Sequence, residues 1–511
     1  MKLAIFHYHL NPGGVTDVIV FSVRILLSRL DSIQEIRLVT GCSDNTERIL
    51  GRIREGFEGG QRDKIRLDVL DEIAYTEGGE YSNPDKLAER LEARYDKDTI
   101  FWVHNYHIGK NPALTMALMK LAARGSRDML LQIHDFPECG RPENLRRIDN
   151  LLDEPPYPGG ARIRYAVVNE RDLNILLNSG LEGSVYLLPN PVPIPRLEET
   201  NSIETKKALE ELPNNPGYIP KAPILLYPVR AIRRKNIFES ALFASVLYRP
   251  ANLIVTLPGI SAQEKSYSNL VEGAYKEGII PGAWCPEASG DARLSYTRLI
   301  SSCDAVISTS VQEGFGYLFL NSLLWRKPLL ARYLDILDGI LELFGDYPRR
   351  FWTDFRIPAT PEIAGRTKTA YLDRIRQVES SMPEKTLKSV ATAISKLAAG
   401  GGIDVSYLSV KDQFGALRLA REDRAWLDKT RSLNQELLKS AERTLRAKPQ
   451  SMNKVVECHL GDSRYLKSFI GIVRSFGSKR RITSPEKIGK NIKRAFGRID
   501  YLRLLYDTQV C

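Results

Sequence analysis

The chain has 511 residues, which is more than one ordinary hydrophobic core holds and enough for two domains. Its composition, 43% hydrophobic and 26% charged, is typical of globular proteins and argues against a disordered or fibrous chain. The apolar run Leu3–Phe6 is too short for a signal peptide, and no stretch of about 18 apolar residues occurs. We therefore expect a cytoplasmic protein without a membrane span.

The charge and the cysteines narrow the classes of partner. The net charge of +11 would suit a phosphate-bearing substrate, an anionic membrane surface or nucleic acid. No nucleic-acid-binding signature is present, so we expect no nucleic-acid partner. The basic residues are dispersed, so we expect at most weak peripheral contact with the inner face of a membrane. Six scattered cysteines without a CxxC pair indicate reduced thiols.

The first part of the chain, residues 1–195, alternates short apolar runs with stretches of helical periodicity. Alternation of this kind predicts an α/β domain with a doubly wound, mostly parallel sheet. The predicted strands are Leu3–His7, Ile36–Thr40, Ile65–Leu70, Thr99–Val103, Met129–His134, Ile163–Val168 and Val185–Leu188.

A second set of alternating elements follows a polar, proline-containing segment, 196–221, which we interpret as a linker. It predicts a second Rossmann-like domain over 222–484 and a cleft between the domains. Residues from about 358 to 480 are mostly helical, and we interpret Leu417–Leu445 as a solvent-facing elaboration because no heptad persists. The predicted strands are Pro223–Val229, Asn252–Leu257, Asp304–Ser308 and Pro328–Ala331.

Five of the six histidines follow predicted strands of the first sheet, at the carboxyl edge where α/β proteins bind ligands. They could line a ligand cleft or hold a metal. The absence of an HExxH-like spacing favours the cleft. The five are His7, His9, His104, His107 and His134.

Two further patterns bear on phosphate and metal. Gly13 and Gly14 lie between the first strand and the first helix, where they would let a phosphate approach backbone N–H groups. This turn is not GxGxxG, which argues against a nicotinamide dehydrogenase. Asp96 and Asp98 form a DxD pattern, but they precede a strand at its amino end. We therefore interpret them as part of a loop and expect no metal.

The second domain carries the most specific pattern. Arg230 and Lys235, separated by four residues, follow a predicted strand, and Glu313-Gly-Phe-Gly later leads into a helix. The pattern resembles the retaining GT-B glycosyltransferases of glycosyltransferase family 4. Gly13-Gly14, His134-Asp135 and Leu188-Pro-Asn-Pro also fit. The final segment, 485–511, resembles the family's last helix, which crosses back to the N-terminal domain.

The resemblance implies a GT-B fold of two Rossmann-like, doubly wound domains facing a cleft, with a helical elaboration in the C-terminal half. It implies metal-independent, retaining transfer of a hexose from a nucleotide-sugar to a small-molecule or lipid-linked acceptor, without a cofactor. By resemblance, the catalytic residues are His134, Arg230, Lys235 and Glu313; the donor-binding residues are Gly13, Gly14, Gly314, Phe315, Gly316 and Asn321; and the acceptor-binding residues are His104, Asn105, His107 and Asp135.

The chemistry of the pattern supports these roles. Cleavage of the anomeric bond leaves negative charge on a diphosphate, which Arg230, Lys235 and a helix N-terminus at Gly314–Tyr317 would stabilise without a metal. The resemblance implies that Glu313 contacts the donor sugar, although a glutamate here could instead cap the helix. Arg230–Lys235 could likewise be a solvated basic turn.

One position departs from the family. Asn321 stands where the family has a second glutamate, which holds the ribose hydroxyls of the nucleotide. An amide donates and accepts hydrogen bonds but carries no charge. This departure keeps two alternatives open: a GT-B phosphorylase or epimerase, and a non-catalytic relative that binds sugar nucleotides.

Overall fold

A computed structural model describes residues 1–76, 81–195, 202–285, 290–345, 351–449, 451–478 and 483–505. The strands are β1 (Lys2–His7), β2 (Glu35–Thr40), β3 (Ile65–Val69), β4 (Thr99–His104), β5 (Met129–Ile133), β6 (Ile163–Val167), β7 (Val185–Leu187), β8 (Ile224–Arg230), β9 (Asn252–Leu257), β10 (Gly282–Trp284), β11 (Ala305–Ser308), β12 (Leu329–Ala331), β13 (Arg356–Pro358) and β14 (Gly402–Asp404). The α-helices up to the end of the second sheet are α1 (Gly14–Arg29), α2 (Thr46–Arg54), α3 (Gly59–Arg62), α4 (Pro84–Arg94), α5 (Pro112–Arg124), α6 (Pro142–Leu151), α7 (Glu170–Asn178), α8 (Ser202–Glu211), α9 (Ile237–Val246), α10 (Ala262–Lys276), α11 (Tyr296–Ser302) and α12 (Tyr317–Leu324). The remaining α-helices are α13 (Pro361–Val378), α14 (Glu384–Ser395), α15 (Val410–Glu422), α16 (Arg424–Leu433), α17 (Gln435–Leu445), α18 (Asn453–Leu460), α19 (Asp462–Arg474) and α20 (Pro485–Phe496).

The chain packs into two compact units, each built from more than one stretch of sequence. The first unit comprises Met1–Pro193, Gln377–Lys388 and Glu457–Arg498. The second unit comprises Ile194–Arg376, Ser389–Val456 and Ile499–Cys511. None of the described helices is both long and apolar enough to cross a membrane.

The first unit contains a parallel sheet of seven described strands in the order β3-β2-β1-β4-β5-β6-β7. Its central strands β1, β4, β5 and β6 are almost fully buried because helices cover both faces of such a sheet. The predicted strands of this domain are confirmed, with ends that shift by at most one residue. Helix α19 completes the core: the Phe469 ring lies 5.0 Å from the Trp102 ring, and the Tyr465 hydroxyl bonds Ser22 Oγ at 2.7 Å.

The second unit contains a parallel sheet in the order β10-β9-β8-β11-β12. The four predicted strands are present, whereas β10 was not predicted. A separate antiparallel pair, β13 with β14, lies within the region that the sequence indicated as mostly helical. The doubly wound α/β class and the helical C-terminal region are thereby confirmed.

The expectation of a solvent-facing elaboration over Leu417–Leu445 was wrong. The stretch forms parts of three helices, α15, α16 and α17, which are separated at Asp423 and Asn434. Each helix buries apolar side chains in the core of the second unit, among them Leu417, Leu427 and Leu438. The charged residues that dominate the composition occupy the opposite helix faces, which is usual for a helix packed on a core.

The segment that we interpreted as a linker contains a helix. In α8, Thr205, Ala208 and Leu209 are buried. Helix α20 lies in the first unit, where Phe496 contacts Phe136 with ring centroids 4.9 Å apart. Residues 196–201 and 506–511 lie outside the described part of the chain.

Candidate active site

The histidines predicted to share one edge of the first sheet do meet there. The rings of His7 and His9 are 5.1 Å apart, those of His7 and His104 are 6.4 Å apart, and those of His104 and His134 stack at 5.2 Å. His104 Nδ1 and His134 Nε2 are in hydrogen-bonding contact at 2.9 Å. Burial lowers the pKa of His134 to about 4 and holds those of His7 and His104 well below their ordinary value. The cluster is therefore neutral at pH 7 and offers hydrogen bonds rather than charge.

The predicted acceptor residues lie at this edge, mostly beneath its surface. His104, Asn105 and His107 are at most 2% exposed. Asn105 has a left-handed backbone (φ 52°), and its Oδ1 accepts hydrogen bonds from the backbone N–H groups of His134 (2.8 Å) and Asp135 (3.3 Å). Asp135 is more accessible, and its carboxylate pairs with Arg141 at 3.2 Å. Asn105 thus fixes the backbone that presents His134 and Asp135.

Gly13 and Gly14 leave open space at the beginning of helix α1. Gly13 is the N-cap residue with an extended backbone (φ 172°), and no heavy atom lies within 4 Å of a Cβ built on Gly14. Neither glycine has a left-handed backbone conformation of the kind that favours glycine over other residues. The space permits a ligand to approach the first turn of α1, whose N–H groups have no partner within the helix.

The described residues give no sign of a metal site. No three histidine, cysteine, aspartate or glutamate side chains within them come together as ligands. Asp96 and Asp98 both pair with Lys2, at 2.5 and 3.6 Å, just before β4. The DxD pattern therefore lies in a loop at the amino edge of the sheet, as expected.

In the second unit, the basic residues that follow β8, Arg233–Lys235, lie in an ordered turn. Arg233–Lys235 forms a single turn of 3-10 helix, and Asn236 follows with a left-handed backbone (φ 56°). The Asn236 side-chain oxygen accepts hydrogen bonds from Arg233 (3.0 Å) and from Gln413 of α15 (2.9 Å). Packing of α15 against this turn sets the position of Lys235.

Glu313 is held by three donors at the carboxyl edge of the second sheet. Its carboxylate contacts Lys235 Nζ, Arg234 Nη1 at 3.1 Å and Ser310 Oγ at 2.6 Å. Burial opposes ionisation of Glu313, but the two cations outweigh it and lower the pKa of the carboxyl to about 2. Burial lowers the pKa of Lys235 to about 8, and Glu313 limits that shift. Both groups are charged at pH 7, and Glu313 does not cap α12.

Arg230 has a different partner. Its Nη1 lies 3.0 and 3.2 Å from the two carboxylate oxygens of Glu264. Glu264 belongs to the capping box of α10, in which Ser261 accepts from the Glu264 N–H and the Glu264 carboxylate accepts from the Ser261 N–H. The positive charge of Arg230 also helps to lower the pKa of Lys235, so the two cations lie close enough to repel each other.

The Gly-Phe-Gly segment leads into α12 as predicted. Gly316 is the N-cap residue with φ 82°, a conformation that glycine adopts without strain. Phe315 is buried and contacts the Tyr317 ring with centroids 5.0 Å apart. Asn321 lies one turn into the helix, is partly buried, and has no side-chain hydrogen bond to any described residue. Its amide is therefore available to a ligand.

Sequence reasoning missed three groups in the second unit: Arg234, Ser310 and Glu264. Arg234 lay inside the basic tract that the motif singled out, and its position next to Lys235 could have identified it. The Ser261-x-x-Glu264 capping box was readable from its spacing. No local signal indicated that Glu264 would pair with Arg230, because that contact depends on how β8 and α10 pack.

The chain is similar to known glycosyltransferases in sequence and in fold. A mannosylglucosyl-3-phosphoglycerate synthase of Petrotoga mobilis is 30% identical to this chain over 450 residues, which cover 86% of this chain and 85% of that protein. No family model matches the chain. HepE of Anabaena in complex with UDP-glucose aligns with a TM-score of 0.45 and 14% identity over 87% of this chain and 100% of HepE. Sucrose-phosphate synthase of Thermosynechococcus elongatus aligns with a TM-score of 0.44 and 14% identity over 86% and 99% of the two chains.

The match to the Petrotoga protein covers most of the length of both chains. The chain is a glycosyltransferase that moves a hexose from a nucleotide-sugar to a small acceptor. It belongs to the family of the mannosylglucosyl-3-phosphoglycerate synthase of Petrotoga mobilis, among the GT-B glycosyltransferases that resemble glycosyltransferase family 4.

Proposed function

We propose that this glycosyltransferase retains the anomeric configuration of the transferred hexose, needs no metal and uses a small anionic acceptor. The name of the Petrotoga relative describes a product with two hexoses on a phosphoglycerate. An acceptor of that type, a hexosyl phosphoglycerate, carries a phosphate and a carboxylate. A chain with a net charge of +11 suits such an acceptor and an anionic donor.

The observation that carries the proposal is the partly buried cluster of Lys235, Arg234 and Glu313 at the carboxyl edge of the second sheet. Lys235 and Arg230 bind the donor diphosphate and stabilise the negative charge that develops on it when the anomeric bond breaks. Two cations held before the reaction do this without a metal, because they need no reorganisation when the bond breaks. Glu313 accepts hydrogen bonds from the hydroxyls of the donor sugar.

The remaining donor contacts come from backbone amides and one side chain. The first turn of α12, after Gly314, Phe315 and Gly316, directs N–H groups towards the diphosphate. Asn321 donates to and accepts from the ribose hydroxyls. Gly13 and Gly14 leave room for the donor at the first turn of α1.

On the first unit, His134 contacts the transferred sugar, and Asp135 contacts the acceptor. His134 acts as a neutral hydrogen-bonding group, which is consistent with its lowered pKa. The burial of His104, Asn105 and His107 favours a supporting role beneath these two residues. Retention follows from the resemblance to family 4, in which a phosphate oxygen of the leaving group takes the proton of the acceptor hydroxyl.

The test is a transfer assay with UDP-, GDP- and ADP-hexoses as donors. A glucosyl phosphoglycerate and an uncharged alkyl glucoside serve as acceptors, each with and without EDTA, and proton NMR reads the configuration of the product. We expect one donor to support retaining transfer to the anionic acceptor in EDTA. Inversion, or a loss of activity that manganese or magnesium restores, would refute the mechanism. Nucleotide release without an acceptor, or dependence on inorganic phosphate, would instead indicate an epimerase or a phosphorylase.

A further inference from the structure

Tyr75 is an exposed aromatic residue at the ligand-binding edge of the first sheet. It follows β3 and a short 3-10 turn, Asp71–Ile73, and its side chain is 43% exposed. Other tyrosines at this edge are buried, as Tyr8 (1%) and Tyr106 (0%) show. An exposed aromatic ring at the carboxyl edge of a parallel sheet is a surface on which an apolar ligand face can pack.

The backbone on both sides of Tyr75 is anchored by buried or half-buried side chains. Asn111 Nδ2 donates hydrogen bonds to the carbonyl oxygens of Glu72 (2.8 Å) and Ala74 (2.7 Å). Arg147 of α6 donates to the carbonyl oxygen (3.0 Å) and the hydroxyl (2.8 Å) of Thr76. The exposure of Tyr75 is therefore a fixed feature of the fold.

Two neighbouring rings contact Tyr75 and leave much of it accessible. The Tyr8 ring is tilted against it with centroids 5.1 Å apart, and the His9 ring meets it edge-on at 4.9 Å. His9 Nδ1 accepts a hydrogen bond from the Asn11 N–H at 3.3 Å, so neutral His9 carries its proton on Nε2. His9 therefore supports the ring as an uncharged neighbour.

Two cations, Lys110 and Arg141, act on the Tyr75 ring. Lys110 Nζ lies 5.2 Å from the centre of the Tyr75 ring, within the range of a cation–π contact. Arg141 pairs with Asp135 at 3.2 Å, and both charges act on Tyr75. Partial burial raises the pKa of Tyr75, the positive charge of Arg141 lowers it, and the negative charge of Asp135 raises it. Lys110 precedes α5 and Arg141 precedes α6, so both cations lie in loops that follow neighbouring strands of the sheet, β4 and β5.

We propose that Tyr75, Lys110 and Arg141 form the acceptor subsite: the Tyr75 ring packs against the acceptor's sugar, and the two cations bind its phosphate or carboxylate. The C–H groups on one face of a hexose carry partial positive charge and suit the negative face of an aromatic ring. Arg141 offers a fork of donors to an anionic oxygen pair, and Lys110 offers a point charge. This assignment rests on the function proposed above and names the residues that would select its acceptor.

The alternative is that Tyr75 is an ordinary surface tyrosine under a cation. The second unit provides such a residue as a matched control: Tyr248 is 47% exposed and lies 5.8 Å from the guanidinium of Arg431. Tyr248 precedes β9 and therefore lies at the amino edge of its sheet, away from Lys235 and Glu313. A role in acceptor binding predicts different results for Tyr75 and Tyr248, whereas a generic surface role predicts the same result.

The test is steady-state kinetics of Tyr75→Ala, Lys110→Gln and Tyr248→Ala, with glucosyl phosphoglycerate and an uncharged alkyl glucoside as acceptors. We expect Tyr75→Ala to raise the KM for either acceptor by roughly tenfold, the scale of one lost stacking contact. Tyr248→Ala should stay within about twofold of the wild type. Lys110→Gln should remove most of the preference for the anionic acceptor.

The outcomes separate this inference from the proposed function. The KM for the donor, and stabilisation of the fold by the nucleotide, should be unchanged in every variant, which shows that the donor side is intact. An unchanged acceptor KM in Tyr75→Ala, or equal effects of Tyr75→Ala and Tyr248→Ala, would overturn the acceptor subsite while leaving the transferase in place. If the wild type transferred no hexose to either acceptor, the proposed function itself would fail.

Discussion

Lys235 and Glu313 form a buried ion pair that joins the ends of two neighbouring strands of the second sheet. Lys235 follows β8 and Glu313 follows β11, and each side chain is only 13% exposed. Arg234 contacts the second carboxylate oxygen of Glu313 at 3.1 Å, so one carboxylate orders two cations. The pair fixes Lys235 at the edge where the donor diphosphate is proposed to bind.

Lys235→Ala should lower kcat by about 10²–10³-fold, the scale of losing one preorganised charged donor. It should also lower the free energy of unfolding by up to about 3 kcal/mol, because Glu313 loses a buried counter-ion and keeps only Arg234. Steady-state kinetics and urea unfolding measure the two effects.

The double variant Lys235→Ala/Glu313→Gln separates the effect on catalysis from the effect on stability. Removal of the carboxylate charge should restore much of the stability, but the turnover should remain low because the cation is still absent and the carboxylate proposed to bind the donor sugar is removed as well. A single variant with the turnover of the wild type would contradict the role of Lys235, and so would recovery of turnover in the double variant.

Asn321→Glu tests the position at which the chain departs from family 4. If the partly buried Asn321 amide faces the ribose, a carboxylate would replace neutral hydrogen bonds with charge-assisted ones, which are roughly twice as strong. We expect nucleotide affinity to increase by about tenfold, which corresponds to about 1.4 kcal/mol. Calorimetric titration with the preferred nucleotide measures it. Weaker binding would show that the pocket is shaped around an uncharged group.

Gly14→Ala tests the open space at the beginning of α1. The fold has room for the methyl group, so stability should be unchanged or rise by about 0.5–1 kcal/mol. We expect the donor KM to rise by about tenfold or more, because the methyl group occupies space that the donor needs. Gly51→Ala in α2, where a Cβ also meets nothing within 4 Å, is the matched control. Equal donor KM values in both variants would refute the role of Gly14.

Glu138 is a buried carboxyl group, 4% exposed, that accepts hydrogen bonds from the Tyr157 hydroxyl at 3.1 Å on each oxygen. Burial raises its pKa to about 7 from an ordinary value of 4.5. The folded state therefore favours the protonated form, and the stability that Glu138 contributes is complete below pH 4.5 and is lost as the pH rises through 7.

Glu138→Gln removes this titration. The stability of the wild type relative to the variant should fall by roughly 3 kcal/mol between pH 4.5 and pH 8, measured by urea unfolding across that range. Parallel curves for the wild type and Glu138→Gln would exclude a raised pKa.

The sequence was sufficient for most strands of the two sheets. Parallel strands buried on both faces are rich in apolar residues, so the seven described strands of the first sheet could be located from their residues. The rule that ligands bind at the carboxyl ends of strands then placed His134 and Asp135 at the same edge as His7 and His104. In the second domain, the resemblance to family 4 proposed roles for Arg230, Lys235 and Glu313.

The sequence was less informative about the helical region. A high content of charged residues over Leu417–Leu445 suggested a solvent-facing helix, although each of the three helices there presents an apolar face to the core. The placement of residues 457–478 in the first unit could not be predicted either. It depends on contacts such as Tyr465 with Ser22, which are 443 residues apart in the chain.

By itself, then, the sequence determined the class of fold and the family, because these depend on periodicity and on short motifs. Only the tertiary structure decided that Glu264 holds Arg230, that Asn105 holds the backbone of His134, and that Tyr75 lies exposed beside Lys110. Each of these relationships joins segments that are distant in sequence, and no local propensity encodes the distance between two such segments. Their positions follow from the order of strands in the sheet and from the helices that pack against it.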